Sequence, residues 1–214
     1  MPAEGLRDQL IVRGHASDVT ISAAASSSLA VYLELLEHWN RRINLTSLPL
    51  DPPSDAAIDR LIIEPVAAAR RLMPGDRLVV DLGSGGGSPA LPLKIAARQI
   101  ALVMVESRAR KAAFLREAVR RLELAETQVE TARFEDVATE PALAGRADVV
   151  TVRAVRADAG LRTAAESLLR PGGRLFWFGE LPSDSPLLEG ALQVADRHML
   201  VAGQAQGLVV LRAG

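Results

Sequence analysis

The residues best suited to chemistry lie in one run, Leu78-Val-Val-Asp-Leu-Gly-Ser-Gly-Gly-Gly-Ser-Pro-Ala-Leu-Pro-Leu, and in a second acid, Glu106, nineteen positions after Gly87. Gly83, Gly85 and Gly87, interleaved with Ser84 and Gly86, allow positive φ and let a ligand approach without a Cβ in the way. A loop of this kind between a strand and a helix opens a crevice, and in open α/β sheets ligands sit outside the carboxyl ends of the strands. A phosphate-cradling loop must end in Gly-Lys-Ser/Thr, and Lys94 lies too far into the following helix to serve. The dinucleotide fingerprint needs a third glycine three positions after Gly85, where Ser88 stands. Asp81, ahead of the glycines, suits a cationic ligand better than a pyrophosphate. Glu106 is placed to accept hydrogen bonds from both hydroxyls of a ribose. The two acids therefore bracket a nucleoside carrying positive charge, and S-adenosylmethionine is such a molecule. A nicotinamide, or a structural turn in which Asp81 caps a loop and Glu106 is a solvated acid, are the competing readings.

The elements that must position this loop follow from the spacing of apolar residues. Over 20–44, Leu29, Leu33, Leu36 and Ile43, with Trp39 beside them, mark one face of a helix. Pro49, Pro52, Pro53 and Ser54 break it, and Asp55 is placed to cap a second helix carrying Ile58, Leu61, Ile62 and Val66. After Pro74-Gly75, short apolar runs alternate with helical patterns, as in a parallel sheet with crossover helices. Strands are predicted over 77–82, 100–106, 127–132, 147–153 and 174–178, with a closing pair at 197–202 and 207–212 turning through Gly203. Helices are predicted over 89–98, 107–122, 159–169 and 185–193. The expectation is an α/β fold: a doubly wound, seven-stranded, mostly parallel sheet ending in an antiparallel hairpin. A helical N-terminal cap spans 1–74 and the ligand-binding domain 75–214.

Composition narrows the chemistry. The chain has 214 residues and no cysteine, which excludes disulfides, thiolate metal sites and a cysteine nucleophile, and no metal is expected. Its longest unbroken apolar run, 100–105, is far short of the roughly 20 residues of a membrane helix. Residues 1–13 carry Glu4, Arg7, Asp8 and Arg13 and no apolar signal core, so a soluble, cytoplasmic protein is expected. With 25 basic and 26 acidic residues, the balance argues against bulk electrostatic binding of nucleic acid and leaves a local basic patch. The cations are 23 Arg and 2 Lys, and Arg suits bidentate phosphate contacts, although Arg-rich codon usage explains the bias equally well.

Beyond the glycine loop, five segments together resemble the RsmG or GidB family of small-subunit ribosomal RNA guanine-N7 methyltransferases. They are His38-Trp-Asn-Arg-Arg-Ile-Asn-Leu-Thr, the loop from Asp81, Glu106-Ser-Arg-Ala-Arg-Lys-Ala-Ala-Phe-Leu-Arg, Ala132-Arg-Phe-Glu-Asp and Val152-Arg-Ala. The first is the more discriminating, since the glycine loop is shared by every methyltransferase of this class. The resemblance implies cofactor contacts at Gly83, Ser88, Phe134, Glu135 and Arg153, with Glu106 on the ribose. Asp81, Gly85, Gly87 and Ser107 complete the expected cofactor set. It implies S-adenosylmethionine as cofactor and 16S ribosomal RNA or the small ribosomal subunit as partner; no membrane is expected, and the oligomeric state is left open, with a monomer the expectation. Two departures stand out: Ser88 and Ala90 replace a bulky apolar residue and a glycine, which loosens the pocket, and Gly179-Glu180 replaces Lys-Gly, which reverses a charge. The alternatives are a methyltransferase of another RNA or of a small molecule, and a non-catalytic nucleoside-binding protein of ribosome assembly.

Such a transfer needs no general base, because guanine N7 already offers a lone pair. This agrees with three scattered histidines, His15, His38 and His198, expected to be surface or packing residues. For RNA contacts, Arg41, Arg42, Arg153 and Arg156 are expected near the carboxyl edge of the sheet. Arg116, Arg120 and Arg121 face outward on the 107–122 helix, where Glu117 and Arg121 are spaced to pair. Asn44 is expected either to bond a base edge or to close its helix in a left-handed turn.

Overall fold

The computed structural model describes residues 3–201 and 207–213. Four helical pieces come first: α1 (Ala3–Ala16), α2 (Ala23–Asn40), α3 (Asp55–Ile58) and α4 (Glu64–Ala69), the last two joined through a π-helical turn at Asp59–Ile63. The rest alternates: β1 (Leu78–Leu82), α5 (Ala90–Ala96), β2 (Ala101–Val105), α6 (Ala109–Arg121), β3 (Thr127–Glu130), α7 (Phe134–Val137), β4 (Ala147–Arg153), α8 (Ala159–Leu168), β5 (Leu169–Phe178), β6 (Leu192–His198) and β7 (Leu208–Ala213). Strand order is β3-β2-β1-β4-β5-β7-β6. The first five strands are parallel; β7 runs antiparallel to β5 and β6 antiparallel to β7. The chain winds outward from β1 through β2 and β3, then returns to lay β4 on the other side of β1. That reversal creates the crevice at which open α/β sheets bind ligands.

Burial on both faces explains why the central strands read as apolar runs: all seven residues of β4 are buried. On one face, Val79, Val149, Phe176 and Phe178 pack with Leu29, Leu33 and Leu36 of α2, Ile58 and Ile62, and Phe114 of α6. On the other, Val80, Val150, Leu175 and Trp177 meet Leu161, Ala165 and Leu168 of α8. The N-terminal helices thus share one continuous core with α5 and α6. At its start, α1 buries Leu6 and Leu10, four residues apart on one face. No helix among the described residues is long and apolar enough to cross a membrane.

The last third departs from the sequence reading. The helix expected over 185–193 is a single 3-10 turn, Pro186–Leu188, and the sixth strand is Leu192–His198, not 197–202. Pro186 stands in the first turn, where proline is tolerated, and Gly190 weakens any continuation of the helix. As an edge strand β6 exposes most of its side chains and so lacks the apolar signature of a buried strand. β5 begins at Leu169 rather than 174, with an irregular register between Ala147 and Val149 of its neighbour. The turn expected through Gly203 lies outside the described residues. At α3 the cap is Ser54, whose Oγ accepts from the Ala57 N–H at 3.1 Å, and Asp55 is the first helical residue.

The amino end of the sheet is held by Asp148. Its Oδ2 accepts from the N–H groups of Arg77 and Leu78 at 2.8 and 2.9 Å, and its Oδ1 from Arg170 Nε at 2.5 Å. Burial opposes the charge, but the hydrogen bonds from Leu78, Arg170 and Arg77 outweigh it and hold the pKa below the ordinary 3.8. This contribution is complete above the unfolded-state value and is lost as pH falls through the lower folded value. Asp148→Ala is expected to cost about 2–3 kcal/mol in urea unfolding at neutral pH by stranding two N–H groups, and the difference from wild type should shrink in acid. A loss under about 0.5 kcal/mol would contradict this role.

Candidate functional site

The glycine loop leaves β1 at the carboxyl edge of the sheet and is pinned there by the backbone. Gly83 N and Ser84 N donate to Val105 O at 2.9 and 3.0 Å, and Gly87 N to Ser84 O at 2.7 Å. Gly83 has φ +74°, and a Cβ there would stand 2.6 Å from Val155 Cγ2, so both conformation and space demand glycine. Gly86 serves a different end: a Cβ would meet Leu45 O at 3.1 Å and Leu36 Cδ1 at 3.3 Å, so its bareness lets the helical segment close on the loop. The Tyr32 hydroxyl donates to Gly86 O at 2.7 Å and bolts α2 to it.

Two cavities open beside this loop and share Gly83. The first, about 450 Å³, is lined by Asn44 to Leu48, Arg60, Leu61, Ser84 to Gly86, Ser88, Lys111 and Arg153. The second, about 400 Å³, is lined by Val105, Glu106, Ser107, Ala132 to Glu135, Val155, Arg156 and Asp158. They differ in charge. Among the described residues no carboxylate lines the first, whereas Glu106, Glu135 and Asp158 line the second. Lys111 makes no hydrogen bond or ion pair among the described residues and supplies the first cavity with a cation.

Glu106 is oriented by backbone: Oε2 accepts from Gly85 N at 2.9 Å and Oε1 from Arg108 N at 2.8 Å. Each oxygen keeps a lone pair for a ligand. Asp81 is 1% exposed; Oδ1 accepts from Thr151 Oγ1 at 2.5 Å, and Oδ2 has no hydrogen-bond partner among the described residues. Asp81 lines neither cavity; Ser84, on the wall of the first, donates to the Asp81 backbone carbonyl at 3.2 Å. Burial, opposed by the nearby Ser84 and Thr151 hydroxyls and by Arg153, pushes the Asp81 pKa up to about 6.

Arg153 at the end of β4 holds the wall of the first cavity. Its Nη2 bonds Glu64 Oε2 at 2.6 Å, its Nη1 bonds Arg60 O and lies 3.2 Å from Ser88 Oγ, and its guanidinium carbon is 4.5 Å from the Phe178 ring centroid. Ser88 Oγ in turn donates to Leu61 O at 3.0 Å. Pro65 explains why those carbonyls are available: lacking an N–H, it serves neither Leu61, four residues back, nor Arg60, five back. Burial works against both charges, raising the Glu64 pKa and lowering that of Arg153 to about 10, while each charge favours the other's ionised form. Arg153, expected as a cofactor contact and as a residue facing RNA, is paired with Glu64. Ser88 ties the loop to the π-helical turn.

The other expected residues divide. Glu106, Ser107, Phe134, Glu135 and Arg156 meet on the second cavity; Asn44, Gly85, Ser88 and Arg153 meet on the first; Gly83 joins both. Gly87 lines neither and faces Leu91 and Leu115. Arg42 lines neither and sits exposed, its Nη1 3.3 Å from His38 Nε2. Asn44 does not end its helix in a left-handed turn: the Ile43 and Arg42 N–H groups close α2 on Trp39 O. Glu117 accepts from Trp39 Nε1 at 3.1 Å rather than from Arg121, and Arg116 turns to Val129 O and Thr131 Oγ1. None of the three histidines lines either cavity. Lys111, Arg60, Thr46 and Ser47 were not singled out from the sequence, although Lys111 stood within the Glu106 segment, five residues past the acid, and Thr46 closed the segment from His38.

The family model GidB, rRNA small subunit methyltransferase G, matches residues 25–184, about three quarters of the chain. The ribosomal RNA small subunit methyltransferase G of Xanthomonas axonopodis pv. citri (strain 306) is 36% identical over 202 residues, covering 91% of this chain and 90% of that one. Its namesake from Stenotrophomonas maltophilia (strain K279a) is 38% identical over 157 residues, 72% of this chain and 69% of that one. Among solved structures, P. horikoshii TYW2 in complex with MeSAdo shares the fold at a TM-score of 0.52 and 17% identity, over 70% of this chain and 60% of that one. TrmN from Thermus thermophilus does so at 0.52 and 19%, over 70% and 48%. A sheet with this strand order, a glycine loop at its switch point and relatives matching nine tenths of the sequence lead to one conclusion: the chain belongs to the GidB family of rRNA small subunit methyltransferases.

Proposed function

We propose that this protein transfers a methyl group from S-adenosylmethionine to N7 of a guanine in 16S ribosomal RNA, acting in the cytoplasm. The observation that carries the reading is the pair of unlike cavities meeting at Gly83. The second fits an adenosine: Phe134 and Val155 offer apolar walls to the base, and Glu106, already oriented by two N–H groups, offers its remaining lone pairs to the ribose. Asp81, with one buried oxygen unpartnered, suits an ammonium group lying over the loop. The first cavity, free of carboxylates and bearing Lys111, suits an acceptor that carries phosphate.

When bound, S-adenosylmethionine supplies an electrophilic methyl group on a sulfonium. The protein's part is alignment. Gly83 permits close approach where the cavities join, Asn44 to Ser47 and Arg153 wall the acceptor side, and Lys111 draws the nucleotide's charge. N7 brings its own lone pair, so no side chain has to remove a proton before transfer. Holding two reactants in line accounts for up to about 7–11 kcal/mol of a barrier.

Two measurements test this. Ribosomal RNA from a strain lacking the gene should lose one 7-methylguanosine by nucleoside mass spectrometry; an unchanged content would sink the assignment. Binding of S-adenosylmethionine should weaken about tenfold from pH 7 to pH 5 as Asp81 takes up its proton and its attraction for the ammonium disappears, and Asp81→Asn should bind weakly with no such dependence. A wild-type affinity flat across that range would remove Asp81 from the site.

A further inference from the structure

The wall of the first cavity formed by Asn44 to Leu48 is a loop with no strand or helix of its own, and one side chain folds it. Asn40, the last residue of α2, accepts at Oδ1 from Leu45 N at 2.8 Å and Thr46 N at 3.0 Å, and donates from Nδ2 to Thr46 O at 3.0 Å. Thr46 Oγ1 extends the turn by accepting from Leu48 N at 3.1 Å. Helix termination does not need this amide: α2 ends on its own backbone, with Arg41 N donating to Glu37 O and the Arg42 and Ile43 N–H groups to Trp39 O. Meanwhile α2 is fixed against the sheet side of the site, Tyr32 on Gly86 O, and Trp39 both edge-on to Phe114 and bonded to Glu117 of α6. The position of Asn40 is therefore set by the sheet and α6, and its amide passes that position on to the loop.

We infer that Asn40 is a positioning residue for the methyl acceptor: its side chain holds Asn44 to Ser47 as the wall against which the target base is aligned, without touching the base. The inference rests on the first cavity being the acceptor side. Because no residue between 41 and 48 lines the second cavity, loosening this loop separates the two halves of the reaction. Acceptor alignment suffers and cofactor binding does not.

The test compares wild type, Asn40→Ala and Asn40→Asp. Readouts are equilibrium binding of S-adenosylmethionine, thermal unfolding, and kcat and KM for transfer of a labelled methyl group to 16S RNA, naked and in small subunits. Asn40→Ala is expected to lose about tenfold or more in kcat/KM for RNA. Its affinity for S-adenosylmethionine should stay within about twofold of wild type. Asn40→Asp keeps the two accepted bonds but opposes the Thr46 carbonyl, and should lose less than Asn40→Ala. The inference is overturned if Asn40→Ala methylates with wild-type constants, if cofactor affinity falls in step with transfer, or if both variants lose activity only in proportion to lost fold. Absence of transfer by wild type itself would instead overturn the reading of the first cavity, and this inference with it.

Discussion

The site keeps its shape through one buried guanidinium. Arg153 lies where the sheet, the glycine loop and the π-helical turn converge, and it bonds Glu64, the Arg60 carbonyl and Ser88 while stacking on Phe178. An ion pair this deep is a poor source of net stability against an apolar packing, but removing one partner strands a charge at a cost of about 3–5 kcal/mol. The geometry is therefore hard to alter piecemeal. Pro65 contributes by what it lacks, since its missing N–H leaves helix carbonyls open to partners from outside the helix. A break in helical regularity thus becomes the joint between the N-terminal helices and the sheet.

From that joint follow the two cavities. One strand reversal, between β1 and β4, gives both a common edge at Gly83, and neighbouring segments give them opposite character. Carboxylates gather where loops after β2 and β3 meet the start of α8; cations gather where α6 faces the N-terminal helices. A donor bearing a ribose and an ammonium, and an acceptor bearing phosphate, are sorted by this asymmetry without any group that must gain or lose a proton during transfer.

How much of this was legible depended on range along the chain. The strand, glycine loop and Glu106 were readable because their signals are local: an apolar run, bare residues at fixed spacing, an acid at the next strand's end. Five parallel strands and the hairpin topology followed from the same periodicity, while β6 did not, because an exposed edge strand carries no apolar alternation. The fate of the arginines was not readable. Arg153 and Arg42 look alike in sequence, yet one is buried against a carboxylate 89 residues away and the other stands in solvent. The partner of Ser88 was hidden for the same reason, being a carbonyl 27 residues earlier, freed by a proline.

The most direct measurement is a crystal structure of the protein with S-adenosylmethionine bound. The account predicts adenine against Phe134, both ribose hydroxyls on Glu106, the ammonium over the loop in front of Asp81, and the methyl group directed past Gly83 toward Asn44 and Lys111. A donor seated in another part of the fold, or one whose methyl points away from the cavity walled by Arg153, would contradict it.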